Sequence, residues 1–264
     1  MIPRVNFHTH TTFCDGNNTA EEMVIEAIRK GFEELGFSGH AYTPFDESYC
    51  MSKEKTRQYR AEISRLKDKY SDKIKIYCGL EVDYFSEADE NDYDFLIGSV
   101  HYVEKNGIYY PIDESEERFL YILNEVFNGN AAELIKAYYS LVGDVINKTG
   151  AHIIGHFDLI TKYNEGDRLF PQGSEYIAYA REAVEKLSLT GKVFEINTGA
   201  IARGLRTTPY PAPSILKIFK EHNMRGILSS DCHSKEALDF AFDKAKKLAD
   251  ENKITLVTKF SRLY

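Results

Sequence analysis

Short apolar segments alternate with amphipathic helical stretches along this 264-residue chain, and that alternation limits its fold more than any other feature. Parallel strands need a long crossover, usually a helix, so strand–helix repetition dictates a mainly parallel sheet. Val5–His8, Leu35–Ser38, Lys75–Glu81, Phe95–Val100, His152–Ile154, Val193–Asn197 and Gly226–Ser229 read as strands, and Thr255–Thr258 as a candidate for an eighth. Thr19-Ala-Glu-Glu22 has capping-box spacing and opens a helix ending near Gly31. Tyr59, Ile63, Leu66 and Tyr70 recur at +4, +3 and +4, one buried stripe on a helix from about Ser52 to Tyr70. Further helical stretches run from about Ser115 to Lys148 (broken near Asn128-Gly129-Asn130), from Ser174 to Leu189, from Pro213 to near His222, and from a Ser234 cap to about Asn252. Seven or eight such units predict an α/β barrel. No low-complexity linker divides them, so residues 1–264 read as one domain.

Placed on that map, six of the eight histidines follow strands directly. His8 and His10 follow the first strand, His40 the second, His101 the fourth and His156 the fifth. Glu81 ends the third, and Asp231 and His233 follow the seventh. All lie at the C-terminal rim, where barrel enzymes gather catalytic groups from separate loops. A His-x-His pair leaving a strand sends both rings to one side, and Asp231-x-His233 repeats the spacing. Imidazole and carboxylate ligands without ordered thiolates suit Zn, Mn or Fe, and Glu81 has two oxygens with which to bridge ions. His152 opens a strand and His222 ends a helix, so both read as structural, as does Cys232.

Composition narrows the function classes. The 33 Lys and Arg against 41 Asp and Glu leave a net charge of −8, which disfavours a sequence-independent nucleic-acid coat. Cys14, Cys50, Cys78 and Cys232 form no C-x-x-C pair, as expected of a protein kept in a reducing cytoplasm. No apolar run reaches membrane-spanning length, and MIPRVNF has no secretory-signal pattern. The expectation is a soluble cytoplasmic protein with no membrane partner.

The segments NFHTHTTFCDG, FSGHAYTPF, GLEVDYF, DFLIGSVHY, IIGHFDL, FEINTGA and SSDCHS resemble, in order, the motifs of the polymerase and histidinol phosphatase (PHP) superfamily. Within it, the chain is most similar to the monofunctional L-histidinol-phosphate phosphatases of histidine biosynthesis. The resemblance implies a distorted seven-stranded TIM-like barrel with three divalent ions at the strand ends. His8, His10, Glu81 and Asp231 would hold one ion, Glu81, His101 and His156 a second, and Asp15, His40 and His233 the third. Asp15 departs from the pattern, since relatives often carry histidine near this position. It also implies hydrolysis of L-histidinol phosphate by a metal-activated hydroxide, with Glu81, Asp231 and His233 as catalytic residues.

Arg203 and Arg206 lie after the sixth strand on the same rim, and an arginine fork matches phosphate; Lys162 is a further candidate. Glu195 and Asn197 are expected to support the ligands by hydrogen bonds, and Asp158 is placed to orient His156. The substrate class is a small phosphate ester, with no nucleic-acid partner expected. The competing readings are a PHP-type phosphodiesterase or nuclease, a protein-tyrosine phosphatase, and a non-catalytic regulatory barrel with a degenerate metal site.

Overall fold

The computed structural model describes residues 2–88 and 92–263. Its strands are β1 (Val5–Asn6), β2 (Glu34–Phe37), β3 (Lys75–Asp83), β4 (Phe95–Ser99), β5 (Tyr102–Lys105), β6 (Ile108–Pro111), β7 (Ile153–Ile154), β8 (Val193–Asn197) and β9 (Gly226–Ser229). Seven form one sheet in the order β1-β2-β3-β4-β7-β8-β9, and every neighbouring pair is parallel. The two edges meet beyond the regular pairing. Thr9 bridges Cys232, the His10 amide donates to the Cys232 carbonyl at 3.0 Å, and Asn6 Nδ2 donates to Ser230 Oγ at 2.6 Å. The result is a nearly closed barrel, irregular where β1 and β7 contribute only two residues each.

Helices cover the outside: α1 (Ala20–Arg29), α2 (Lys53–Lys69), α3 (Glu116–Tyr121), α4 (Ala131–Thr149), α5 (Ser174–Ser188), α6 (Gly199–Ala202), α7 (Pro213–Glu221) and α8 (Phe242–Glu251). The Thr19–Glu22 capping box opens α1 as expected, with each side chain satisfying the other's backbone N–H. On α2, Tyr59, Ile63 and Leu66 are buried. The Tyr59 hydroxyl donates to the Gly79 carbonyl at 2.8 Å, which ties this helix to the strand that carries Glu81.

Side-chain alternation sorts the barrel interior into two layers. Val5, Phe7, Phe95, Ile97, Ile153, Val193 and Ile227 pack together, with Tyr77 against them, as an apolar plug separate from the core beneath the helices. Two to four residues further along, the same strand faces turn polar: Tyr77 leads through Gly79 to Glu81, Val193 to Glu195, and Ile97 to Ser99. The plug therefore closes the floor under an ionisable rim. Phe95 fits because Gly36 and Gly79 lack side chains; a Cβ at Gly36 would come within 2.8 Å of its ring, and one at Gly79 closer still. Gly79→Ala is expected to destabilise by about 1–3 kcal/mol through overpacking, read as a melting temperature lower by several degrees.

The structure corrects the sequence reading in places. A β5–β6 hairpin follows His101, turning at Asn106-Gly107 with φ of 57° and 78°. The expected helix from Ser115 divides into α3, a π-helical turn at Ile122–Val126 and α4, with its break at Asn128-Gly129, where both residues are left-handed. The Ser234-capped stretch forms only a 3₁₀ turn at Lys235–Ala237 before Ala241, at φ 55°, and α8. Thr255–Thr258 contributes a single bridge, Leu256 to Gly226, rather than a strand. Among the described residues, no helix is long and apolar enough to cross a membrane.

Candidate metal centre

Five imidazoles converge on one buried carboxylate. Glu81, near the end of β3, is 1% exposed. Its Oε2 lies 3.1 Å from His8 Nε2, 3.5 Å from His10 Nε2 and 3.0 Å from His40 Nδ1. Its Oε1 lies 3.5 Å from His101 Nε2 and 3.0 Å from His156 Nε2, and accepts the Ser99 hydroxyl at 2.6 Å. Asp231 brings Oδ1 to 3.2 Å from His10 Nε2 and 3.5 Å from His8 Nε2. Towards the opening, Asp15 Oδ2 is 3.1 Å from His233 Nε2, and Asp15 Oδ1 is 3.7 Å from His10 Nδ1 and from His40 Nε2. The His10 and His233 rings stack at 4.2 Å.

All nine residues expected as ligands are therefore brought together, Asp15 included. The clusters they form overlap. Ligand atoms lie within 4.8 Å of one another in the sets His8–His10–Glu81, His40–Glu81–His101 and His10–Asp15–His40–His233. His40 joins two sets because its two ring nitrogens face opposite neighbours, Glu81 and Asp15.

The donor chemistry fits divalent cations. His8 Nε2, His10 Nε2 and Glu81 Oε2 are buried without a hydrogen-bond partner, although they face one another closely. A buried polar atom without a partner costs about 1–3 kcal/mol, and such atoms are rare in folded proteins. A cation among the three satisfies all of them, and a nitrogen–oxygen donor set suits zinc, manganese or iron.

A second ring of contacts holds these ligands in place. Glu195 Oε1 meets His8 Nδ1 at 2.7 Å, while its Oε2 accepts the His156 amide and Asn197 Nδ2, each at 3.1 Å. Asp83 accepts the His101 amide at 2.7 Å and lies 3.3 Å from that ring's Nδ1. Sequence reasoning missed Asp83, although Glu81-x-Asp83 carries the spacing that singled out His8-x-His10. Among the described residues, Asp158 makes no hydrogen bond to the His156 ring; its Oδ2 accepts the Ala212 amide at 2.9 Å, while Glu195 accepts the His156 backbone amide.

Burial and charge compete throughout. Burial alone would lower the His8 pKa, but Glu195, Glu81 and Asp231 raise it well above the usual imidazole value. His10 goes the other way, down to about 3, because burial and its neighbours His233 and His40 all oppose a charge. Against burial, Glu81 and Asp83 lift His101 to about 9. Glu81 and Asp231 also resist burial and stay ionised, with His8 foremost among the cations that hold their pKa values down.

A cavity of about 400 Å³ opens above this cluster, with Asp46, Tyr49, Tyr102, Asp113, Lys162 and Arg203 in its walls. Arg203 donates to the Asp231 carbonyl and to Asp231 Oδ2, both at 3.3 Å, and Lys162 Nζ donates to the Asp113 carbonyl at 2.7 Å. Arg206, the other arginine offered for the phosphate, is placed differently. It is buried outside the cavity walls, and its guanidinium is engaged by Thr161 and Thr208. His152 is structural as expected, its Nδ1 accepting the Leu96 amide at 3.1 Å.

Comparison with known proteins adds three likenesses and a family match. The PHP domain model matches residues 6–199. A Schizosaccharomyces pombe chain named as a probable histidinol-phosphatase is 29% identical over 275 residues, covering 95% of this chain and 87% of that one. The Bacillus subtilis histidinol-phosphatase is 27% identical over 265 residues, covering 89% and 96%. A crystal structure of histidinol phosphate phosphatase from Lactococcus lactis, complexed with zinc, L-histidinol and phosphate, shares the fold at a TM-score of 0.72 and 23% identity. It covers 96% of this chain and 95% of its own.

Proposed function

Because the chain belongs to the PHP domain family, we propose that it is a metal-dependent phosphomonoesterase that hydrolyses L-histidinol phosphate to L-histidinol and phosphate. The observation that carries this reading is the convergence of five imidazoles on buried Glu81, with Asp231 against two of them, beneath a cavity whose wall includes Arg203. The names of the curated relatives, and the ligands of the Lactococcus lactis structure, support the choice of substrate.

We assign His8, His10, Glu81 and Asp231 to one ion, Glu81, His101 and His156 to a second, and Asp15, His40 and His233 to a third. Bound there, divalent ions supply positive charge to the phosphoryl oxygens and acidify water for attack. The chain's own residues prepare that chemistry. Glu195 fixes the His8 ring by its far nitrogen, and Asp83 accepts the His101 amide and sets its charge 3.3 Å from that ring's Nδ1. Arg203 turns from the Asp231 carboxylate towards the ester, where its fork accommodates two phosphate oxygens. Lys162, anchored on Asp113, adds a second positive group at the same wall. Ions and cationic side chains together let a chain of net charge −8 accept an anion.

Replacing Arg203 with Ala is expected to raise KM for histidinol phosphate, and the inhibition constant of free phosphate, by about tenfold or more with a smaller change in kcat. Unchanged values would remove Arg203 from the site. The reading as a whole is tested by phosphate release from histidinol phosphate, nucleotides, single-stranded DNA and a phosphotyrosine peptide, with metal content measured on the same sample. Histidinol phosphate is expected to be turned over fastest. Faster release from a nucleic acid or a phosphopeptide would shift the function within the family, and no release by the metal-loaded protein would leave a non-catalytic barrel.

A further inference from the structure

Arg203 and Lys162 stand on different loops, the first after β8 and the second after β7, so their separation depends on how the loops are joined. Beyond Arg203 the chain returns to β8, where Tyr210 and Asn197 exchange backbone hydrogen bonds of 2.7 and 2.9 Å. Between these points lies Arg206, which is only 7% exposed despite its charge. Its Nη1 donates to the Thr161 carbonyl at 3.1 Å and to the Thr161 hydroxyl. Its Nε and Nη2 donate to the Thr208 carbonyl and hydroxyl, both at 3.3 Å. The guanidinium also lies over the Tyr210 ring, 4.6 Å from its centre. Beside it, Glu165 accepts the Thr207 and Thr208 amides and both hydroxyls.

We propose that Arg206 is a positioning residue that locks the β8 loop onto the β7 loop and so sets Arg203 opposite Lys162 for one phosphate. This rests on the reading of Arg203 as a phosphate ligand. A guanidinium carries five N–H donors in a rigid fork, and four of these hydrogen bonds already run to Thr161 and Thr208, so Arg206 has little left to offer an anion. Burying such a charge is costly unless its donors are matched, and here both loops supply the acceptors. Among the described residues, the Arg203 side chain is hydrogen-bonded at Asp231 and His233, both outside its own loop, so the latch governs the loop on which it stands. A displacement of about 1 Å in a positioned group is enough to cost a hundredfold.

The test is calorimetric binding of inorganic phosphate to the metal-loaded protein, with turnover kinetics alongside. Arg206→Lys keeps the charge but loses the fork. It is expected to weaken phosphate binding about tenfold and raise KM to match, while kcat stays within about threefold. In an Arg203→Ala background the same substitution is expected to change phosphate affinity less than about twofold, because the positioned group is gone. Undiminished phosphate affinity in Arg206→Lys, or an equal loss with and without Arg203, would overturn the assignment. Should Arg206→Lys fail to fold, Glu165→Ala releases the same loop from its other clasp and carries the same expectations. Wild-type protein that binds no phosphate would overturn the phosphatase reading and this inference together. Wild-type binding that Arg206→Lys leaves intact would sink the latch alone.

Discussion

Glu81→Gln is expected to lose at least one equivalent of bound metal and to lower kcat by about a thousandfold or more. Among the described residues, Glu81 is the one carboxylate within 3.5 Å of five imidazoles, and both its oxygens are used. An amide has nearly the same shape but no charge, and its nitrogen turns donor hydrogens on ring atoms that need an acceptor or a cation. The substitution also removes a charge that raises the pKa values of His8 and His101. Elemental analysis and turnover on one preparation measure both effects. Full metal content with wild-type kcat would refute the ligand scheme around β3.

Removing the ions with a chelator is expected to abolish turnover and to lower the melting temperature, both restored by zinc, manganese or iron. The unpartnered atoms His8 Nε2, His10 Nε2 and Glu81 Oε2 are the reason, since metal binding is also stabilisation energy. The recovery has a pH signature. In the ion-free protein, His101 holds its proton up to about pH 9, above its ordinary value near 6.5, because Glu81 and Asp83 outweigh burial. A ring must shed that proton to bind a cation, so affinity at this position is expected to rise with pH until about 9 and then level off. Turnover that persists through complete chelation would exclude metal from the reaction.

The alternation of strands and helices made the barrel legible, and the placing of histidines immediately after strands marked its working rim. Both are local patterns, repeated along the chain. Asp15 was named by its motif, and the structure sets it against His233. What escaped notice depends on contacts between distant segments. Arg203 and Arg206 look alike in sequence, three residues apart on one loop; only Thr161, supplied by the preceding unit, makes the second a buried brace. Phe95 gave no hint that Gly36 and Gly79 must stay bare to seat it. The β5–β6 hairpin is a different case, because Asn106-Gly107 is a recognisable turn signal, overlooked beside the stronger motif at His101.

The barrel closes where Thr9 meets Cys232, and the residues flanking that seam are His8 and His10 on one side and Asp231 and His233 on the other. A polypeptide still emerging from the ribosome holds the first pair long before the second has been translated. Truncation anywhere before that seam is expected to abolish turnover, because it removes Asp231 and His233 from the rim while leaving most of the chain's mass.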